Sequence, residues 1–431
     1  MKRRVAITGI GMVSPLGNDV ASTWQRLMAG ESGISQIQHF DASHFPTTIA
    51  AEVKNFQLSP ELQGKKSRYA MSFTAFALEA AHQAFLDAGI KPSKHNAKRW
   101  GVVAGAGMMT ADYDYFHRFQ QVAAPDGALD WQKLQTQAQQ FYQSVDFGKT
   151  TSNAGLSLLI NQFGIEGYAT TVHTACASGG QALGLALKAL RRGEVDYMLA
   201  GGFDSMISPL GVSSFCLLGA LSTFNDTPQT ASRPFDLTRN GFVLGEGAAF
   251  LILEDWQKAK ARGAKIYAEL AGEGNSLSSY RITDSHPNGD GAIQAIRGAL
   301  KDAQVSFEDV DYINAHGTST KMNDLSETNA IKAVFEHRAK TIPVSSTKSQ
   351  TGHLIAAAGA LEAVISVLSI QKGYVLPTAN LTTPDPECDL DYVTDGPREK
   401  SLGVVVSDSF GFGGSNSTLV FKHPEFVGSG K

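Results

Sequence analysis

Short apolar runs rich in β-branched residues alternate with longer helical patterns along almost the whole chain. Between the apolar runs, segments such as "DVASTWQRLMAG" and "RYAMSFTAFALEAAHQAFLDAG" repeat apolar residues at the spacing of a helix face. Strands that alternate with helices in this way predict an α/β fold with mostly parallel sheets. The predicted strands are "RRVAITGI", "WGVVAGAG", "YATTVHT", "VDYMLAGG", "AAFLILE", "IYAELAG", "VDYINAHG", "TIPVSST" and "GVVVSDSF".

The second half of the chain echoes the first. "TACASGGQALGLALKALRRG" and "TGHLIAAAGALEAVISVLSIQKG" both join a turn of small residues to a helix of Leu and Ala. Each places a reactive side chain, Cys176 or His353, near the start of that helix. The echo predicts a duplicated α/β unit with one site between the halves, residues 1–262 and 263–431, joined at the basic segment "EDWQKAKARGAK".

The segment from Met109 to Thr150 interrupts the alternation. It is aromatic, rich in Gln and poorly patterned, and it is long for a connection inside a compact domain. Such connections are often lids or interface elements, so we expect an insertion with one of these two roles here.

Composition and charge narrow the class of protein. The 431 residues are 42% hydrophobic and 18% charged, which is typical of a globular protein, and the net charge of −4 disfavours a general nucleic-acid binder. The three cysteines suit neither a disulfide framework nor a metal finger. The start, "MKRRVAITGIGMVSPLG", superficially resembles a signal peptide, but Gly and Pro interrupt its apolar run and predict a buried strand and turn. We expect a cytoplasmic protein with no membrane span.

Cys176 is the first candidate for chemistry. A lone cysteine in an apolar segment is most often an inert core residue. Here, however, a strand runs into a helix, and a helix N-terminus offers unpaired N–H groups and a positive dipole end that favour a thiolate. We therefore expect Cys176 to be a nucleophile with a lowered pKa, whereas Cys216 and Cys388 lack this setting and are expected to be structural.

Two histidines accompany the cysteine from distant segments. His316 follows an apolar strand in "NAHGTST", at the end of a strand where α/β folds bind ligands. His353 lies in "SSTKSQTGHLIAAAGALEA", close to Lys348 and Glu362. Taken singly, each of these residues has a purely structural explanation, such as a histidine that satisfies backbone groups or a lysine on the surface. A thiolate together with two imidazoles, however, is a combination suited to acyl-thioester chemistry.

The "SDSFGFGGSNSTLVF" segment sets Phe410 and Phe412 in a glycine frame. A pair of aromatic residues is usually part of a core. The flanking glycines would also let Phe412 move as a gate, and nearby backbone N–H groups would bind an oxyanion.

From one end to the other, the chain resembles the β-ketoacyl-acyl-carrier-protein synthases, most closely the synthase II type. The resemblance implies a thiolase-like fold of five layers, α-β-α-β-α. It also implies a decarboxylative Claisen condensation between an acyl group on Cys176 and a malonyl group on acyl carrier protein. Seven separated motifs in the same order carry it: "ITGIGMVSPLG", "TACASG", "LSTFNDTPQTASRPFD", "GFVLGEGAA", "AHGTST", "SSTKSQTGH" and "FGFGGSN".

The resemblance assigns a role to each candidate residue. His316 and His353 would stabilise the enolate, and the backbone N–H groups of Cys176 and Phe412 would form the oxyanion hole. Lys348 would belong to the catalytic group. Supporting roles fall to Glu362, Asp324 and Glu327. Contacts with substrate fall to Ala106, Thr318, Thr320, Phe410 and Phe412.

The same resemblance implies that the protein needs no metal and no bound cofactor, because its substrates arrive on the 4'-phosphopantetheine arm of acyl carrier protein. It implies a homodimer, with a heterodimer of related subunits as the alternative. The carrier would meet a basic patch of Lys65, Lys66 and Arg68, for which a solvated helix start is the bland interpretation.

Three features depart from the family pattern. Ala106 replaces a bulkier aliphatic residue expected to line the acyl pocket, Ser278 stands where an aspartate is common, and the insertion is long. These features favour long or rigid acyl primers and leave open a specialised ketosynthase of a polyene or polyketide system. A thiolase would need a late second catalytic cysteine, which "FGFGGSN" lacks, and a chain-length factor would lack the nucleophile.

Overall fold

The computed structural model describes residues 2–64, 71–107, 117, 120–121, 123–124, 127–141, 149, 151 and 153–428. Its α-helices are α1 (Val20–Met28), α2 (Ser72–Ala88), α3 (Trp131–Phe141), α4 (Ala154–Phe163), α5 (Ser178–Arg192), α6 (Pro209–Leu217), α7 (Trp256–Ala261), α8 (Asp290–Ala303), α9 (Lys321–Phe335), α10 (Lys348–Thr351) and α11 (Ala358–Lys372). Its strands are β1 (Val5–Val13), β2 (Ser35–Gln36), β3 (Ile49–Ala50), β4 (Trp100–Ala106), β5 (Ala169–Val172), β6 (Tyr197–Ser205), β7 (Glu246–Asp255), β8 (Ala268–Leu277), β9 (Tyr312–Asn314), β10 (Pro343–Ser345), β11 (Tyr374–Val375), β12 (Asp391–Tyr392), β13 (Arg398–Glu399), β14 (Val404–Phe410) and β15 (Ser415–Lys422).

The two halves of the chain repeat one sheet topology. In the first half the strands lie in the order β1-β7-β6-β4-β5, and β7 is antiparallel to both of its neighbours. In the second half the order is β8-β15-β14-β9-β10, and β15 is antiparallel to both of its neighbours. Numbered along the chain, both orders read 1-5-4-2-3, which confirms the duplicated unit. A short antiparallel pairing of β1 with β8 joins the two sheets edge to edge.

Helices and sheets form five layers. The helices α5 and α11 pack against each other between the two sheets, within the largest apolar cluster. The outer face of the first sheet is covered by α2 and α4, and that of the second sheet by α8 and α9. This arrangement confirms the predicted α-β-α-β-α architecture.

Glycines at the start of α5 and α11 bring the two central helices into close contact. A Cβ on Gly179 would lie 2.8 Å from the backbone nitrogen of Ala360, and one on Gly359 would lie 2.8 Å from that of Gly180. Any larger residue at these positions would separate the helices. Since Cys176 precedes α5 and His353 precedes α11, this contact also brings the two candidate side chains together.

The predicted strands agree with the structure, but six strands were not predicted, and the expectation of mostly parallel sheets was wrong. The sheet is mixed because β7 and β15 each run antiparallel to both of their neighbours. All nine apolar runs lie in β1, β4–β10 or β14, and the two helical patterns contain α1 and α2. Sequence reasoning missed β15, which follows the glycine loop directly, and the two-residue strands β2, β3, β11, β12 and β13, which are too short to show an alternating pattern. The predicted insertion at 109–150 lies mostly outside the described residues, apart from α3 and a few neighbours.

Among the described residues, the stretch Ile355–Lys372 is long and apolar enough to cross a membrane by length and composition. Its surroundings explain the composition, since 89% of the stretch is buried inside the protein. A helix enclosed between two sheets is apolar on all sides because every side faces a core.

Candidate active site

A strained turn presents Cys176. Between β5 and α5, Ala175 adopts a φ of +50°, a conformation that L-residues rarely adopt. The Ser178 hydroxyl secures the turn, because it accepts from the N–H of Thr174 at 2.8 Å and donates to the carbonyl of Ala175 at 2.7 Å. Cys176 thus lies two residues before Ser178, the first residue of α5, between a strand and a helix as the sequence predicted.

Cys176 and the two histidines meet at one point. The Nε2 atom of His353 lies 3.0 Å from Sγ of Cys176. The ring of His316, which follows β9, lies edge-on to that of His353, with 5.2 Å between the centroids. All three side chains are buried and line a single cavity of about 490 Å³.

The resting cysteine is a thiol. Burial raises the pKa of Cys176 to about 12, although the backbone N–H of Phe412 and the charge of Lys348 act in the opposite direction. The expectation of a lowered pKa was therefore wrong. A helix terminus favours the thiolate by a local field, but removing the charged group from water costs more. If Cys176 is the nucleophile, as the sequence predicts, its thiol must pass its proton to a base as it attacks.

Both histidines are neutral. Burial lowers the pKa of His316 and of His353 well below 6.5, and the nearby charge of Lys348 lowers both further. A neutral imidazole can accept a hydrogen bond at one nitrogen and donate one from the other. The Nδ1 atoms of both rings have no hydrogen-bond partner among the described residues, so no contact there imposes one tautomer.

Alkylation of Cys176 should report its protonation state. At a pKa near 12, the thiolate fraction and the rate of reaction with iodoacetamide should rise about tenfold per pH unit between pH 7 and 9. The rate is measured by intact-protein mass spectrometry, with Cys176→Ala to subtract reaction at the other cysteines. A rate that levels off above pH 7 would show that the helix terminus outweighs burial.

Lys348 and Glu362 form a buried ion pair behind the histidines. The ammonium of Lys348 in α10 contacts a carboxylate oxygen of Glu362 in α11. Burial raises the pKa of Glu362 to about 7, against the opposing effect of Lys348. The pair ties α10 to α11 on either side of His353, and its cation contributes to keeping both imidazoles neutral.

Two carboxylates hold the loop that carries His316. Glu327 accepts the backbone N–H groups of His316 and Gly317, both at 2.7 Å. Asp324 accepts the N–H of Thr318 at 3.0 Å and is also paired with Arg239. The positions of Asp324 and Glu327 fit the supporting roles that the sequence assigned.

The glycine loop after β14 covers the nucleophile. Phe412 lines the cavity, and its backbone N–H hydrogen-bonds the thiol of Cys176, which suits an oxyanion hole. Gly413 has a φ of +76°, and its N–H donates to the carbonyl of Ile282 at 2.7 Å. Ser278 donates its N–H to the carbonyl of Gly414 at 2.8 Å. The loop that contains Ser278 is therefore tied to the candidate gate.

Other predicted substrate residues also face the cavity. Phe410 lies edge-on to His316, with 5.9 Å between the ring centroids. The hydroxyls of Thr318 and Thr320 lie 3.0 Å apart in the cavity wall. The structure thus brings these three residues together with the reactive group.

Ala106 was placed wrongly. Strand residues alternate between the faces of a sheet. Ala106 shares the outer face with Val102 and Ala104, in the apolar cluster beneath α2. Gly105 faces the inner helix instead, where a Cβ would lie 2.6 Å from the nitrogen of Gly179. Ala106 does not line the cavity of Cys176, so the expected link between its size and acyl-chain length has no basis there.

The predicted carrier patch of Lys65, Lys66 and Arg68 lies outside the described residues.

Three further residues belong to the site and were not singled out from the sequence. Phe242 lies edge-on to His353 at 5.3 Å between centroids, and Phe215 lies 6.2 Å from Phe412. Asp204 is buried at the end of β6 and accepts the N–H of Ala356 at 3.0 Å. A carboxylate ending an apolar strand was the available signal for Asp204.

The donor atoms of Cys176, His316 and His353 lie within 4.8 Å of one another, a set that would also suit a zinc ion. Activity without a metal stays a prediction.

Comparisons with known proteins agree with this arrangement. Family models for the "Beta-ketoacyl synthase, N-terminal domain" and the "Beta-ketoacyl synthase, C-terminal domain" match residues 2–259 and 267–382. The chain is 43% identical to the 3-oxoacyl-[acyl-carrier-protein] synthase 2 of Coxiella burnetii, over 97% of this chain and 98% of the relative. It is 41% identical to the Vibrio harveyi protein of the same name, over 98% and 99%.

Solved structures give the same result. A type II polyketide ketosynthase, in complex with its acyl-carrier protein, superposes with a TM-score of 0.87 at 36% identity, over 99% of this chain and 100% of that one. A β-ketoacyl synthase from Burkholderia phymatum STM815 has a TM-score of 0.87 at 33% identity, over 98% and 100%. Fold and site together define a thiolase-like condensing enzyme. The chain belongs to the β-ketoacyl synthase family and is an enzyme of the acyltransferase type.

Proposed function

We propose that the protein extends acyl chains held on acyl carrier protein, forming a β-ketoacyl thioester from an acyl thioester and a malonyl thioester. The observation that carries this proposal is the contact of Cys176 with His353 at 3.0 Å, beside His316, at a shared cavity. The two synthase 2 relatives support the same activity.

The first half-reaction loads the enzyme. Sγ of Cys176 attacks the acyl thioester carbonyl while its proton passes to Nε2 of His353. The carbonyl oxygen gains charge, which the backbone N–H groups of Cys176 and Phe412 stabilise. The bond to the carrier sulfur then breaks, and the proton on His353 goes to the leaving thiol. The acyl group remains on Cys176.

The second half-reaction makes the carbon–carbon bond. A malonyl thioester enters and loses CO₂, and the electron pair of the broken bond forms an enolate. The imidazole N–H groups of His316 and His353 donate to the enolate oxygen. The enolate carbon attacks the acyl thioester on Cys176, the bond to Sγ breaks, and the sulfur regains a proton from solvent. The product is two carbons longer.

A specialised ketosynthase of a polyketide or polyene system is the second candidate. It is favoured by the likeness to the type II polyketide ketosynthase and to the ishigamide ketosynthase/chain length factor, the latter at 32% identity and a TM-score of 0.84. Both candidates use the same chemistry and differ in the acyl primer.

The purified protein should test both. It is mixed with malonyl-carrier and with saturated or polyunsaturated acyl-carrier primers, and the products are identified by mass. A β-keto product from saturated primers supports the synthase 2 activity. Extension of polyunsaturated primers alone supports the specialised system, and release of no β-keto product from any primer contradicts both.

We also propose that the protein is cytoplasmic and has no tightly bound cofactor. Its substrates would be carried on the 4'-phosphopantetheine arm of acyl carrier protein. The cavity supports this, because Thr318 and Thr320 place two hydroxyls on its wall for the polar arm.

We further propose a homodimer in which β5 pairs with β5 of a second copy. Among the described residues, β5 is the outermost strand at the end of the sheet in the first half, and it pairs only with β4. Such edges offer unpaired N–H and C=O groups to another chain. The backbone carbonyl of Tyr168 accepts the N–H of Val102 in β4. In a parallel ladder, alternate residues bond to the same neighbour, so Ala169 and Thr171 direct their N–H and C=O groups away from β4, toward the open edge.

Thr171→Pro should therefore weaken the dimer, because proline removes an outward N–H while the bonds to β4 remain. Sedimentation velocity over a range of concentrations measures the dissociation constant, and Thr171→Val, which keeps the N–H, is the control. A wild-type protein that stays monomeric at micromolar concentration contradicts the proposal.

A further inference from the structure

A buried carboxylate that the proposed mechanism does not use lies at the start of β7. Glu246, from the motif "GFVLGEGAA", is 1% exposed and contacts three other stretches of the chain. Its Oε1 atom accepts the backbone N–H of Val53 at 2.8 Å and lies 2.9 Å from Nε2 of His39. Its Oε2 atom accepts the hydroxyl of Ser205 at 2.6 Å. Glu246 therefore ties the end of β6 and the segment around β3 to its own strand.

His39 is the member of this cluster that can gain or lose a charge near neutral pH. Its ring is half-exposed, and its Nδ1 atom lies 3.6 Å from Oε1 of the buried Glu52. Among the described residues, Glu246 and Glu52 are the charged groups that face the imidazole. The hydrogen bond with Glu246 raises the pKa of His39 above 6.5, burial opposes this shift, and the charges of both carboxylates add to it. The positive charge is therefore present below pH 6.5 and is lost as the pH rises through the raised pKa.

Backbone hydrogen bonds connect Glu246 to His353. Residues 243–246 form the middle of a short parallel ladder, with Ala51 on one side and His353 on the other. The N–H and C=O groups of His353 bond to this middle segment at 2.7 and 2.9 Å, and those of Ala51 bond to its other side at 2.7 and 3.2 Å. The side chain of Glu246 extends the ladder, because it accepts the N–H of Val53, two residues after Ala51. A displacement of Glu246 would thus shift the histidine that contacts the nucleophile.

We propose that Glu246 and His39 are positioning residues for His353, and that loss of the proton of His39 at higher pH loosens their hold. This inference rests on the proposed function, in which His353 takes the proton of the thiol and donates to the enolate oxygen. Neither Glu246 nor His39 lines the cavity, so both act through the backbone ladder. Misplacing a reacting group by about 1 Å can cost about 10²-fold in rate, so a small change in this cluster has a measurable effect.

Two variants of His39 test the role of its charge. His39→Gln keeps an N–H donor for Glu246 but carries no charge, whereas His39→Lys keeps a positive charge from pH 6 to pH 9. Acyl transfer to Cys176 from acyl-pantetheine is followed over this range by intact-protein mass spectrometry. At pH 6 the maximal rate of His39→Gln should be about fivefold below the wild-type rate, within the range that networks of buried contacts transmit, and the two rates should converge at pH 9. His39→Lys should match the wild type at pH 6 and exceed it at pH 9.

Three further variants show whether the effect is specific. Glu246→Gln, which keeps the shape of the side chain and removes its charge, should reproduce the profile of His39→Gln. The control is His44→Gln, which removes an exposed histidine of the same segment and should follow the wild type at every pH. Adding His39→Gln to His353→Ala should slow acylation no further, because the residue that the cluster positions is then absent.

The proposal is overturned if His39→Gln keeps the wild-type pH dependence. It is also overturned if that variant changes only the half-saturating concentration of acyl-pantetheine, or if its effect persists in His353→Ala. Failure of the wild-type protein to become acylated at any pH would instead contradict the proposed function.

Discussion

Replacing Cys176 with alanine is expected to abolish the acyl-enzyme. With an acyl-carrier substrate, the wild-type chain should gain the mass of one acyl group, and Cys176→Ala should gain none. Sγ of Cys176 contacts His353, the proposed base, and is hydrogen-bonded by the backbone N–H of Phe412, the proposed oxyanion-hole donor, so we expect no other thiol to replace it. Intact-protein mass spectrometry measures the adduct.

The two other cysteines provide the controls. Cys388 is buried in the outer core of the second half, and Cys216 packs near the site without lining its cavity. Cys216→Ala should be acylated at the wild-type stoichiometry. A stable adduct on Cys176→Ala would mean that the nucleophile has been assigned to the wrong residue.

Loss of either histidine should stop decarboxylation. His316→Ala and His353→Ala each remove a donor to the enolate oxygen, and we expect each to slow CO₂ release from malonyl-carrier about 10²–10³-fold. The two variants should differ in the first half-reaction. Only His353 contacts Sγ, so its loss should also slow acylation, whereas His316→Ala should load normally.

The decarboxylation rate is followed with malonyl-carrier labelled in its free carboxyl group, and His423→Ala, outside the cavity, is the matched control. Between pH 6 and 8 the wild-type rate should show no inflection from these imidazoles. Their pKa values lie well below 6.5, so the neutral donors persist as the pH falls through this range. A His316 variant that releases CO₂ at the wild-type rate would remove that residue from the enolate site.

Much of the site could be predicted because local sequence specifies local geometry. Small residues after Thr174 allow the turn that presents Cys176, and glycines on both sides of Phe412 allow the loop that covers it. The strand that precedes His316 ends at the cavity because parallel strands place their carboxyl ends on one edge. These features depend on a few neighbouring residues.

The two wrong predictions about the site, the position of Ala106 and the pKa of Cys176, both concern properties that depend on packing between segments far apart in the chain. The orientation of Ala106 depends on which residue of β4 faces α5, and one position along a strand reverses the answer. The pKa of Cys176 was predicted from the helix terminus alone, whereas the enclosing walls from other segments determine its direction.

By itself, then, the sequence determined the alternation of strands and helices, the duplication and the choice of candidate site residues, since periodicity and turn composition are local properties. Only the tertiary structure decided that His353 contacts Sγ of Cys176 while the ring of His316 packs edge-on against that of His353, and that both imidazoles are neutral. The contact requires α5 and α11 to meet at Gly179 and Gly359, and the neutrality requires burial. Both arise from segments far apart in the chain, so no local pattern encodes them.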